Sequence, residues 1–165
     1  MEFAKYSESW LEILRDQENK LRMEALCADD AMKIGMIMYR LAKEKYLKPI
    51  SIRIITGGQT TFSFLMEGTS TNNEWWMDKK LNASRLSGVS SILTLVEVAM
   101  GLRAMEPEYE KENDFALCGG CFPIKNQAGK VIGYAQSSGM PHECDHQLIA
   151  DALAEYLGVE IGSII

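Results

Sequence analysis

Cys118-Gly-Gly-Cys-Phe-Pro-Ile124, Val131-Ile-Gly-Tyr134 and Ser138-Gly-Met-Pro-His-Glu-Cys-Asp-His146 follow one another in the second half of the chain. Phe122–Ile124 and Val131–Gln136 are strand-like, and Asn126-Gln-Ala-Gly129 between them supplies turn residues, so the pair reads as a hairpin. A helix follows. It opens between Pro141 and Cys144 and stops at Gly158, a residue suited to the left-handed step past a helix end. The same stretch holds both histidines and three of the four cysteines. Groups able to bind a metal or move a proton are scarce elsewhere, so a polar site is expected here.

Working outward, Ser51–Ile55 and Thr60–Met66 form a second candidate hairpin around Gly57-Gly58, with Phe62, Phe64 and Met66 on one face. Ahead of it, Ser7 or Ser9 can cap a helix running to about Arg22. Asp29 or Asp30 can cap a second, whose apolar residues Ala31, Ile34, Met38, Leu41 and Ala42 recur at helical spacing before Pro49. Between the hairpins, Gly68 and Thr69 open a long helical region. It breaks near Gly88 and resumes at Ser90 or Ser91 as Ile92–Leu102, followed by a polar loop from Met105 to Asp114. The order helix, helix, hairpin, helices, hairpin, helix predicts an α+β fold: an antiparallel sheet with helices on both faces.

A length of 165 residues, 47% hydrophobic and 24% charged, suits one domain spanning 1–165 with a sizeable core. A net charge of −6 argues against nucleic acid, whose affinity rests on Lys and Arg neutralising phosphates. The N-terminus Met1-Glu-Phe-Ala-Lys-Tyr-Ser-Glu is too polar for a signal peptide, and no apolar run reaches bilayer length. Reduced thiols in a cytoplasmic protein, away from membranes, are the expectation.

His142 and His146 are four apart and share a helix face, with His146 in register with Ile149 and Leu153. That geometry suits a neutral imidazole ligand against an apolar wall; it equally suits a structural histidine in the first turn, with Asp145 complementing the helix N-terminus. Cys118 and Cys121 invite a zinc site completed by His142 with Cys144 or His146. A redox reading of the pair is disfavoured, because Phe122 continues as strand where a thiol of lowered pKa needs a helix N-terminus. Gly119 and Gly120 can face an anion with their N–H groups or simply allow a tight bend. Trp75-Trp76 with Lys79 and Lys80 can stack on a planar ligand and pair its carboxylate; the plainer reading is one core Trp, one interface Trp and solvated lysines. The apolar tail Val159–Ile165 and the paired indoles point to a homo-oligomer, at least a dimer.

The order Gly-Gly-x-Phe-Pro-Ile, Val-Ile-Gly, Ser-Gly-x-Pro and Asp-His, preceded by Gly68-Thr-Ser-Thr-Asn-Asn-Glu-Trp-Trp76, Lys79-Lys80, Asn82 and Ser90-Ser91, resembles the GlcG/HbpS-like family. These are small domains labelled haem-degrading or haem-binding, and the likeness is greatest to their uncharacterised stand-alone branch. The resemblance implies a profilin-like three-layer α/β/α fold with a central antiparallel sheet, and assembly as dimers. It makes haem the first ligand to consider, with iron ligation by His146 or His142 and the Cys118 or Cys121 thiolates as alternatives. The ligand set it suggests is His142, Asp145, His146, Gly119, Gly120, Trp76, Lys79 and Lys80. Two departures matter: the family usually has His where Cys118 stands, and often Arg-Phe where this chain has Leu86-Ser87. Two other classes remain open, a non-enzymatic oligomeric adaptor and a zinc- or redox-dependent thiol protein.

Overall fold

Alternation along four short strands divides the apolar residues between two faces of a sheet. The computed structural model describes residues 6–165. Helices α1 (Glu8–Lys20) and α2 (Ala28–Leu41) come first, the latter prolonged by a wider π-helical turn, Ala42–Tyr46. Strands β1 (Ser51–Thr56) and β2 (Gln59–Leu65) follow, then α3 (Thr71–Ser87), α4 (Ser91–Ala99) and a 3₁₀ turn at Pro107–Glu110. The chain ends with β3 (Cys121–Lys125), β4 (Val131–Ser138) and α5 (His142–Leu157). The sheet order is β2-β1-β4-β3, and every neighbouring pair is antiparallel.

Register sets the layers. Ala135 stands opposite both Ile54 and Phe122, and these residues with Ile52 and Ile124 are fully buried against Ile34 and Met38 of α2 and Leu148, Ile149 and Leu153 of α5. The neighbours in sequence point the other way, as a pleat requires. Ile55, Cys121 and Tyr134 meet Leu81 of α3 on the second face. Leu11 and Leu14 of α1 pack with Ile92, Leu93 and Val96 of α4 in a further cluster. The result is the α+β, three-layer arrangement expected from the resemblance.

The elements differ from expectation mainly at their ends. Cys27, not Asp29 or Asp30, precedes α2; Asp30 is its third residue and accepts the Cys27 N–H at 2.8 Å. A carboxylate there meets an unsatisfied first-turn donor as well as a cap would. Ser70, not Gly68 or Thr69, caps α3: its hydroxyl accepts the Asn72 N–H, and Asn73 reaches back to the Ser70 N–H. Ser90 caps α4 as expected, and Pro107 turns part of the expected loop into a 3₁₀ turn.

The C-terminal tail corrects one argument. Ile164 is buried among Leu11, Leu14 and Ile92, its N–H donates to Gln147 Oε1 at 3.1 Å, and Gly162 O accepts from Gln17 Nε2 at 2.8 Å. Ile164 is thus covered by its own chain, whereas Val159 and Ile165 stay exposed, so only part of the tail's apolar surface is left for a partner.

Candidate functional site

The corner between β4 and α5 brings the polar residues together. The chain leaves β4 through Gly139, Met140 and Pro141 and turns into α5, so the fourth residue of that helix, Asp145, faces back toward Ser137. Asp145 Oδ1 accepts the Ser137 hydroxyl at 3.1 Å and the Met140 N–H at 3.3 Å. Lys80 arrives from α3 on the far side of the sheet and donates to Asp145 Oδ2 and to Ser137 O, both at 3.2 Å. Both members of this ion pair are buried. Burial pushes the Asp145 carboxyl above its ordinary range, while Lys80, the Ser137 hydroxyl and the Met140 N–H pull it back. A buried pair of this kind costs much of its Coulomb energy in desolvation, so stability alone is a weak reason for its presence.

Gly119 and Gly120 make the corner possible. A Cβ on Gly119 would lie 2.1 Å from the His142 carbonyl oxygen. Gly120, at φ +126°, would place one 2.4 Å from Ser137 O and 2.6 Å from Lys80 Nζ. Only glycine lets the backbone pass this close. Of the two readings of this Gly-Gly pair, the tight bend is the one seen: the Gly119 N–H is donated to His142 Nδ1 at 3.1 Å and is not open to an anion. That bond leaves the His142 proton on Nε2, which lies 3.4 Å from a Glu143 carboxylate oxygen.

A cavity of about 310 Å³ opens at this corner, lined by Asn72, Trp76, Lys80, Cys118, His142 and Asp145 among others. A groove of about 580 Å³ adjoins it, sharing Trp76 and Cys118 and continuing past Lys79, Phe115 and Leu117. The plainer reading of solvated lysines is corrected: Lys79 and Lys80 are only 5% and 3% exposed. Lys80 is enclosed by its ion pair. Lys79 Nζ sits 3.9 Å from the centre of the Trp75 ring and 4.3 Å from that of Trp76. Of the two indoles, Trp75 faces outward, and Trp76 is half-buried.

His146 lies elsewhere. It is fully buried, its Nε2 bonds to Gln17 Oε1 at 2.8 Å, and its ring packs on Phe122. The Gln17 amide donates to Gln147 Oε1 and Gly162 O, so Gln17 Oε1 is the acceptor and His146 Nε2 carries the proton. Nδ1 has no hydrogen-bond partner among the described residues. Burial, and next the neighbouring His142, push this imidazole down to about 3. His146, read from the sequence as a candidate iron ligand or a structural histidine, belongs to the core and does not line the cavity.

The thiols are also separated. Cys121 is fully buried and burial pushes its thiol up to about 12; Cys118 is half-buried and likewise raised by burial. Among the described residues no three His, Cys, Asp or Glu side chains are grouped to hold a metal ion. The zinc set of Cys118, Cys121 and His142 with Cys144 or His146 is thus not assembled. Cys121 and Cys118 are separated by the Gly-Gly bend, which turns one into the sheet and leaves the other at the cavity. The Lys80–Asp145 pairing and the part of Ser137 in it went unforeseen; 65 residues separate the two charges, and no local pattern signals their meeting.

The family described as haem degrading protein HbpS-like matches residues 26–154. The chain belongs to this family. A UPF0303 protein of Yersinia pseudotuberculosis is 30% identical over 151 residues, covering 91% of this chain and 88% of the relative. A UPF0303 protein of Yersinia enterocolitica is 35% identical over 116 residues, covering 70% and 69%. Among solved structures, the Ybr137w protein superposes with a TM-score of 0.76 at 22% identity, covering 90% of this chain and 87% of that one. A PduOC:heme complex superposes with a TM-score of 0.65 at 18% identity, covering 84% and 98%. A double mutant of Streptomyces reticuli HbpS does so with a TM-score of 0.63 at 17% identity, covering 83% and 90%. At these identities the structures share the fold. Among the described residues, no helix is long and apolar enough to cross a membrane.

Proposed function

We propose that this protein binds a planar or anionic small molecule in the cavity beside Lys80 and Trp76, with haem the first ligand to test. One observation carries the reading. The buried Lys80 ammonium has three donors, of which Asp145 Oδ2 and Ser137 O take two, and the side chain lines the cavity. The third donor is available to an oxygen of a bound molecule. Asn72 adds a donor on the same wall, and Trp76 offers a flat face.

Haem enters through the family's description and a relative of the same fold solved as a heme complex. Its carboxylates match the donors around Lys80. Its iron is matched less well, because the His142 Nε2 carries the proton and faces Glu143, and burial raises the Cys118 thiol. His142 would have to release Gly119 to ligate through Nε2. Bound haem would supply a redox-active iron and a large planar surface; the residues here supply anion recognition and stacking.

Titration with haem, read at the Soret band, and with oxalate, read by calorimetry, tests this. Both are expected to bind, and Lys80→Met is expected to weaken oxalate at least about tenfold, the worth of one charge-assisted hydrogen bond. Absence of binding by both ligands would sink the reading. Within it, the chain works as one cytoplasmic domain with four unpaired cysteines, and as a homo-oligomer. Exposed Trp75, and Phe64 and Leu65 on the edge strand β2, support self-association; light scattering should give more than the mass of one chain.

A further inference from the structure

We infer that the groove adjoining the Lys80 cavity is a second subsite, which takes the flat apolar body of an aromatic monocarboxylate and holds its carboxylate on Lys79. It extends the proposed function by one subsite and does not require the Lys80 cavity to be occupied.

The argument starts from an imbalance of partners. Lys125, whose side chain is 15% exposed, faces Glu18 at 3.4 Å, and Lys80 faces Asp145. Lys79 is 5% exposed, yet no carboxylate pairs with it and no oxygen accepts from its Nζ among the described residues. Its Nζ lies over the two indole faces, with Cys118 near enough to feel its charge. The indoles attract the cation through their quadrupoles but accept none of its three N–H bonds in the way an oxygen does. An ammonium held on a largely buried stem at the groove wall, with no oxygen of the described residues accepting from it, is a recognition element for an oxygen anion.

The surroundings say which anion. Lys79 lines a groove of about 580 Å³, within the size range of small-molecule sites, whose other walls include Trp76, Tyr109, Phe115 and Leu117. Those walls desolvate an apolar body. Glu110 and Glu112 also line the groove and are exposed. They repel a second negative charge carried near the mouth, which disfavours phosphates and polycarboxylates. An aromatic acid with one carboxylate satisfies every wall at once.

Calorimetric titration of the full chain with naphthalene-2-carboxylate and with the isosteric naphthalene-2-carboxamide tests this. The acid is expected to bind at least about tenfold more tightly than the amide, as one charge-assisted contact allows. Lys79→Met should erase that preference, and Lys79→Arg should restore most of it. Equal binding of acid and amide, no binding of either, or a preference that survives Lys79→Met would overturn the subsite. Should Lys79→Met fail to fold, Leu117→Asp decides instead: a carboxylate in the groove wall must lower the acid-to-amide ratio, and an unchanged ratio overturns the proposal. Saturating oxalate separates the two sites. It should leave naphthalene-2-carboxylate affinity unchanged; if it displaces the acid, the probe occupies the Lys80 cavity, and the subsite falls while the proposed function stands.

Discussion

His142 and His146 stand one turn apart on α5 and meet opposite surroundings. His142 is half-exposed, lines the cavity and accepts a backbone N–H from Gly119. His146 is fully buried, donates to Gln17 and leaves Nδ1 without a partner among the described residues. Four residues put both rings on one helix face, but they also advance the helix by about 6 Å, enough to pass from the rim of a small protein into its core. The same face of one helix therefore carries a candidate recognition group and a structural one. Residue type and spacing do not tell them apart; the layer that each ring meets does.

The contrast can be broken most severely between the two rings, at Asp145. Asp145→Ala leaves Lys80 buried beside Ser137 without its counter-charge, and the expected cost is about 3–5 kcal/mol in urea unfolding. A cost below about 1 kcal/mol would mean that the pair is open to solvent and that the cavity wall is not preorganised. His146→Ala comes next. It empties a packed ring from the core and strands Gln17 Oε1, so about 2–4 kcal/mol is expected. If haem binding falls while stability is unchanged, His146 belongs with His142 at the site and the contrast drawn above is wrong.

Acid titration sharpens the comparison. The folded His146 titrates at about 3 against an ordinary 6.5, so the unfolded chain takes up its proton first as the pH falls. The contribution of a neutral His146 is complete above about 6.5 and declines toward 3, with about 2 kcal/mol gone by pH 5. Buried Asp145 and Glu18, whose carboxyls burial holds above their ordinary range, act in the opposite sense and favour the fold as the pH falls. Wild type must therefore be compared with His146→Gln. The difference between their urea midpoints at pH 7 and pH 5 should shrink at the lower pH, and a constant difference would argue against a buried neutral ring. The smallest stability effect is expected for His142→Ala, less than about 1 kcal/mol for one part-exposed hydrogen bond. Its oxalate affinity should nonetheless drop, because the Gly119–His142 contact that holds the cavity wall in place is lost.

Much of the architecture was legible in the chain. The two hairpins, the break at Gly88, the Ser90 cap and the stop at Gly158 all fall where local chemistry demands, since each depends on residues within a turn of one another. The first-turn boundaries of α2 and α3 were less legible, because several neighbouring Ser, Thr, Asn and Asp residues can satisfy the same orphan N–H groups. The site was legible in part. Gly119, Gly120, Trp76, Lys80, His142 and Asp145 do gather at one corner. His146 and Cys121 do not, and both are withdrawn by the pleat and packing of strands they do not belong to or barely begin.

By itself the sequence determined element types, their order, the α+β class and the stretch in which polar chemistry would concentrate. Those properties follow from hydrophobic period, turn residues and caps, which act over a few residues. Only the tertiary structure decided which charges pair, which thiol and which histidine reach a cavity, that Ile164 is buried against its own chain, and that no carboxylate among the described residues pairs with Lys79. Those outcomes rest on contacts between segments tens of residues apart, such as Lys80 with Asp145 and Gln17 with His146. Desolvation then sets the charge and availability of each group, and it depends on what the whole fold places around that group rather than on its neighbours in the chain.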